Sequence, residues 1–257
     1  MLRNLSIKTL YGLALAEDEG VGTAYEYYAK RLVLARWLKG LTPPRQILIA
    51  GLPQKYGASL DFIQLAAEFD ARVTIVDERP GALDKFEGCL ARAREKGWFP
   101  DLVTSTTLVV NLGQIGELNG QFDLALSSEV LQRIATDQRS AYLFGLRSRA
   151  GALAIFCPNA ANSAHTNISG LSGLYLDELG SLFRGPAARV GLIDMPPFPP
   201  GISRTEEQRE QAASGKMESA VMFGLNYYAR MERFLPQPLR RRQSHIVYAL
   251  LANSGDE

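Results

Sequence analysis

The chain has 257 residues, 46% apolar and 21% charged, enough to bury one large α/β core with a small addition. Its formal charge of +1 gives no global reason to expect a nucleic-acid or anionic-membrane partner. Two cysteines, Cys89 and Cys157, exclude a disulfide framework, and no Cys/His cluster has metal-ligand spacing, so no metal is expected.

Met1 to Ala16 is mildly apolar, but Lys8 interrupts it and Glu17–Asp18–Glu19 follow, which argues against a signal peptide. No stretch reaches the ~20 apolar residues of a membrane span. A soluble, cytoplasmic protein is expected. Tyr25, Tyr27 and Tyr28 precede the first strand, on a segment that reads either as helix-to-sheet packing or as a cover over a ligand.

Gln46–Ala50 (QILIA) is a strand launched by Thr42–Pro43–Pro44, and Ala58 to Phe69 has helical apolar spacing. Arg72–Val76 is a second strand ending at Asp77, and Gly81 to Lys96 is a helix stopped by Gly97. Leu102 to Val110, Asp123–Ser127 and Ala152–Cys157 continue the series, with helical stretches over 130–134 and Arg139 to Arg147. Strands of nearly unbroken apolar character alternating with helices predict a parallel sheet covered on both faces.

Beyond this comes a helix over Leu174 to Phe183 and a strand over Arg189–Ile193. Pro196, Pro197, Pro199 and Pro200 then impose a stiff connector. Arg204 to Leu235 reads as one or two helices, and Ser244–Ala252 as a final strand, with His245 opening it at the sheet edge. The predicted fold is a three-layer α/β sandwich with a mostly parallel sheet, its last strand antiparallel, and a helical cap inserted before it. The predicted domains are a helical lid at 1–44 and a Rossmann-like domain at 45–257 that carries the cap at 195–243.

In open α/β sheets ligands sit beyond the carboxyl ends of the strands. After the first strand stands Gly51–Leu52–Pro53–Gln54–Lys55–Tyr56–Gly57, with Gly51 permitting a tight turn and Gly57 expected to open the next helix. After the second stands Asp77, suited to a ribose diol or to capping the helix that follows. Ser127, Ser128 and Glu129 end the fourth strand, and Glu129 also reads as a first-turn helix residue.

Ile47–Gly57, Val73–Asp77 and Phe122–Ile134 (FDLALSSEVLQRI) together resemble the class I S-adenosylmethionine-dependent methyltransferases. The resemblance is good over about Arg45 to Asn159 and looser to Ala252. It implies S-adenosylmethionine as cofactor, held by Gly51, Leu52, Gly57, Asp77, Glu78, Asn111, Ser127, Ser128, Glu129 and Tyr28. One departure is that Ala50 stands where the family carries an acid and Leu52 to Tyr56 replace its glycine-rich stretch. Glu129 is a candidate substitute for that acid.

His165, in the loop after the fifth strand, is the candidate catalytic base, against the plainer reading of a structural histidine. Arg240–Arg241–Arg242 reads as a solvated face or as a clamp for an acceptor anion. The leading expectation is methyl transfer to a small or medium-sized acceptor, with no nucleic-acid or membrane partner. Its rival, motivated by the altered first loop, is a non-catalytic methyltransferase-like binding or assembly protein. Without G-x-G-x-x-G, a nicotinamide oxidoreductase ranks third.

Overall fold

The computed structural model describes residues 5–98, 105–183, 187–197 and 216–252. Its strands are β1 (Gln46–Ala50), β2 (Arg72–Asp77), β3 (Ser105–Val109), β4 (Phe122–Ser128), β5 (Ala150–Pro158), β6 (Ala188–Ile193) and β7 (Ile246–Ala252). They form one sheet in the order β3-β2-β1-β4-β5-β7-β6. The pairs among β1 to β5 are parallel, whereas β7 runs antiparallel to both β5 and β6. The expected mostly parallel sheet with an antiparallel last strand is therefore observed. β7 lies inside the sheet, so the placing of His245 at an edge is corrected: β6 takes the outer position.

Successive residues of each strand enter opposite faces, as the pleat requires. Ile47 and Ile49 of β1, Leu124 and Leu126 of β4, and Ala152, Ala154 and Phe156 of β5 share one core. That core is completed by α1 (Ile7–Ala16), α2 (Val21–Trp37), α3 (Leu60–Glu68), α4 (Pro80–Glu95) and α8 (Lys216–Met231). Leu48, Ala50, Ala125, Leu153, Ile155 and Cys157 face the other way, under α5 (Arg139–Arg149) and α7 (Leu176–Leu182). Burial on both sides explains why these strands read as continuous apolar runs rather than as alternating ones.

Local signals place the helix starts. Ser6 caps α1 through a reciprocal bond with Thr9, and Pro80 fills the first position of α4, where no amide hydrogen is needed. The predicted helix at 130–134 is only a 3₁₀ turn, Leu131–Arg133, because Glu129 enters it left-handed (φ +55°) and Ile134 is already extended. Residues 102–104 of the predicted third strand, the connector beyond Pro197 and the helical expectation over 204–215 lie outside the described residues. The described part of the excursion before β7 is α8, which packs through Met222, Leu225 and Ala229 into the core shared with α1 and α2, and α9 (Gln237–Gln243). Among the described residues no helix is long and apolar enough to cross a membrane.

Candidate active site

All strands but β7 end at the same side of the sheet, and β7 begins there because it is antiparallel. Topology thus brings residues from distant parts of the chain to one rim. They form two groups.

The first group surrounds Asp77. Gly51 turns out of β1 with φ +81°, and its amide donates to the Val76 carbonyl at 2.8 Å. A Cβ on Gly51 would lie 2.7 Å from Val130 Cγ2, so the glycine is needed both for its backbone and for the space above it. The next amide, of the buried Leu52, donates to Asp77 Oδ2 at 2.7 Å. Arg79 grips the same carboxylate, from Nε to Oδ1 at 2.8 Å and from Nη2 to Oδ2 at 2.9 Å, and its Nη2 also reaches the Leu52 carbonyl at 2.8 Å. Arg133 Nη2 adds a contact to Oδ2 at 3.0 Å while pairing with Glu78. Burial by itself would raise the Asp77 pKa, but the Arg79 and Leu52 donors and the Arg133 charge outweigh it and hold the carboxyl below the usual range. Asp77 also accepts from the Arg79 amide at 2.9 Å, so it organises the start of α4 as well.

The second group lies at the ends of β4, β5 and β6 and the start of β7. Glu26, Ser128, Glu129, His165, Asp194 and His245, with Phe156 and Cys157 among the apolar walls, line a cavity of about 10 Å³, room for about one water molecule. Glu129 is 8% exposed, and its Oε2 accepts from the Lys55 amide of the first loop at 3.4 Å. Burial and then Glu26 push its carboxyl up to about 8. Of its two readings, the first-turn helix residue does not hold, because only the 3₁₀ turn Leu131–Arg133 follows it. Asp194 Oδ2 meets His245 Nδ1 at 3.2 Å, and the His245 ring stacks on His165 with centroids 4.2 Å apart. Burial works against protonation of His245, but Asp194 overrides it and raises the pKa; burial and His245 together press His165 down to about 4. A proton taken up by the pair therefore goes to His245 rather than to His165.

Two asparagines bring these histidines together. Asn162 caps α6 (Ser163–Ser169) through the His165 amide at 3.1 Å and donates to the Gln243 carbonyl at 2.8 Å. Asn159 Nδ2 donates to the Ser244 carbonyl at 2.8 Å, fixing the chain as it enters β7. Behind the cavity Lys30 is almost wholly buried, 3.0 Å from Glu26 and 3.4 Å from Asp61, with Ser128 Oγ at 3.5 Å.

The remaining candidates sit elsewhere. Ser127 shares a hydrogen bond with Tyr142 on the opposite face of the sheet. Asn111 caps a 3₁₀ turn through the Gly113 amide at 2.9 Å. Tyr28 is buried among the helices, its hydroxyl accepting from Arg230 Nε at 2.9 Å, and Tyr25 and Tyr27 donate to Glu232 and Glu17. Gly57 does not open α3: the helix begins at Leu60, whose amide is taken by Glu17 Oε1 at 2.8 Å, and a Cβ on Gly57 would strike Glu17 and Tyr27. Of the arginine run, Arg240 donates to the Leu192 carbonyl and Arg241 pairs with Asp177.

Sequence reasoning passed over Arg79, Arg133, Glu26, Lys30 and Asp194, and set His245 aside. Inspecting every position after a strand would have found Asp194, directly after β6. The rest depend on contacts far apart in the chain.

No protein-family model and no curated protein matches the sequence. Solved structures do match its fold. The plantazolicin methyltransferase BpumL, in complex with SAH, is 13% identical, with 96% of this chain and 97% of that one covered at a TM-score of 0.55. A SAM-dependent methyltransferase from Archaeoglobus fulgidus is 14% identical over 87% of this chain and 92% of that one, with a TM-score of 0.51. The methyltransferase domain of bacterial CtHen1-C is 11% identical over 88% and 98%, with a TM-score of 0.50. The chain thus has the Rossmann-like fold of these methyltransferases, as its strand-end motifs implied.

Proposed function

We propose that the protein transfers a methyl group from S-adenosylmethionine to a small or medium-sized acceptor. The observation that carries this reading is the placing of two buried carboxyls on one loop: Asp77 holds the Leu52 amide and Glu129 holds the Lys55 amide. The cofactor carries a ribose diol between its adenine and its sulfur and an ammonium at its amino-acid end, and these two carboxyls are of the chemistry that fits each. Asp77 would take the diol, and Glu129 would take the ammonium in place of the acid absent at Ala50. The Arg79 guanidinium now on Asp77 is a third exposed on a long side chain, which lets it swing aside.

When bound, the cofactor supplies an electrophilic methyl group on a sulfonium. The chain's own part is to orient, with about 7–11 kcal/mol of barrier available from positioning. His165, kept neutral beside His245, stands at the rim as a proton acceptor for the acceptor's nucleophile. In the same reading the 1–44 segment is a lid that contributes Glu26, and 195–243 is a cap over the acceptor side.

Calorimetry with S-adenosylhomocysteine, S-adenosylmethionine and NAD tests the proposal. Saturable heat with the first two and none with NAD is expected. No heat with either sulfur compound would leave a non-catalytic binding protein.

A further inference from the structure

The cavity of the second group has features that a structural role does not require. Asp194 is 3% exposed and its Oδ1 has no hydrogen-bond partner among the described residues. A buried carboxylate oxygen left unpaired is costly, about 1–3 kcal/mol or more. Asp194 and Glu129 are moreover both left-handed, at φ +65° and +55°, a backbone state that costs a side-chain-bearing residue about 1–3 kcal/mol and clusters at ligand sites. Two strained acids thus face one small space, and one of them has an acceptor atom with nothing to accept.

We propose that this cavity receives the amino group of the acceptor, as an ammonium held by Asp194 and Glu26. This rests on the methyl-transfer reading and names its substrate class.

Charge selects a cation. Glu26, Asp61, Glu129 and Asp194 are met by Lys30, which is spent on Glu26 and Asp61, and by His245, which is spent on Asp194. Arg31, the next cation on α2, is committed to Glu68, and Glu232 adds a further carboxyl near Asp194. Lys55, whose charge acts on His165, and Arg240, whose charge acts on Glu232, are the further cations. Burial lets Glu129 keep its proton up to about pH 8, so the unmet demand is that of the Asp194 Oδ1, which an arriving cation would pair. Burial, only partly offset by Lys30, raises the Glu26 carboxyl, in keeping with an unmet demand for positive charge.

Size selects the head group. About 10 Å³ holds one water, and an –NH₃⁺ group is of that size, whereas a quaternary ammonium is not. Access is from the rim, where the half-buried Glu26, His165 and His245 lie, so the remainder of the acceptor stays outside the cavity. Asp194 sits at the end of β6 and His165 after β5, beside Glu129, which the methyl-transfer reading assigns to the cofactor. The amine would accordingly be held next to the cofactor rather than over it.

The test uses the full chain and methylammonium chloride as the probe. The imidazole resonances of His165 and His245 are followed by NMR at neutral pH, with methanol, tetramethylammonium chloride and sodium chloride as comparators. Saturable shifts with methylammonium alone are expected. Asp194→Asn, which suits the left-handed backbone because asparagine adopts it readily, should weaken that binding at least tenfold. Glu26→Gln, at a half-buried position, should weaken it in the same direction and serves if the first variant fails to fold. Equal shifts with methanol or sodium chloride, no saturation, or unchanged affinity in a folded variant would overturn the proposal. S-adenosylhomocysteine binding is measured in parallel. If it persists while the ammonium response is absent, the acceptor class is wrong and methyl transfer stands. If the reverse holds, the cation site stands and the methyl-transfer reading falls.

Discussion

Asp77 and Arg79, two residues apart at the end of β2, form a two-toothed ion pair in which Nε and Nη2 meet separate carboxylate oxygens at 2.8 and 2.9 Å. The same guanidinium ties down the Leu52 and Pro53 carbonyls, at 2.8 and 3.3 Å. In the proposed reading Arg79, together with Arg133, occupies the carboxylate that the cofactor's ribose would take, and binding would exchange the Arg79 contact for the diol.

That competition predicts the direction of two substitutions. Arg79→Ala should tighten S-adenosylhomocysteine binding by about tenfold, since the ribose no longer displaces a charge-assisted pair of hydrogen bonds. Asp77→Asn should weaken it by about 1–3 kcal/mol. Calorimetry reads both, and an Arg79→Ala protein that binds more weakly would reverse the role assigned to that side chain.

Gly51 should be intolerant of any side chain for two separable reasons. The positive φ costs about 1–2 kcal/mol in a residue with a Cβ, and contact with Val130 at 2.7 Å adds overpacking of about 1–3 kcal/mol. Gly51→Ala combined with Val130→Ala should recover part of the second cost and none of the first. Urea unfolding of the four proteins of that cycle measures the split, and strict additivity would show that Val130 is not the obstacle.

Lys30 lies wholly inside the protein between Glu26 and Asp61. Lys30→Met leaves the buried Asp61 and the half-buried Glu26 without their shared cation, at a cost of about 3–5 kcal/mol. Adding Asp61→Leu should return a large share of that loss, because the pair is then removed rather than broken. Chemical denaturation that finds the double variant less stable than the single one would contradict this account.

Glu17 supplies a pH signature. Its carboxyl, 1% exposed, accepts from the Leu60 amide and from Tyr27, and burial pushes it up to about 8 from an ordinary value near 4.5. A raised carboxyl binds its proton more tightly when folded, so its contribution is complete below pH 4.5 and is lost as pH rises towards 8. Glu129 and Glu232, pushed up to about 8 and about 7, act in the same direction. Stability should fall between pH 5 and 8, by up to about 1.4 kcal/mol per pH unit for each such proton. Glu17→Gln should remove one proton's share of that slope, and an unchanged slope in urea titrations across this range would show that Glu17 is ionised in the folded state.

What the sequence determined by itself was local. Ile47–Ala50 and Val73–Val76 declare buried strands because every side chain in them but Thr74 is apolar, and Gly51 and Asp77 declare themselves by standing directly after those strands. The Ser6 cap and Pro80 also act over one turn, but were not read as helix starts in the sequence. The chemistry of the rim was decided only by the tertiary structure. That Asp77 is held by Arg133, 56 residues away, and that Glu17 takes the amide at the start of α3 depend on which helices cover which face. His245 reaches His165 because β7 runs against its neighbours, which puts the beginning of that strand where the others end. Periodicity reports the environment of each residue along its own element; it carries no information on the direction of a strand inserted between two others, and that direction set the composition of the second group.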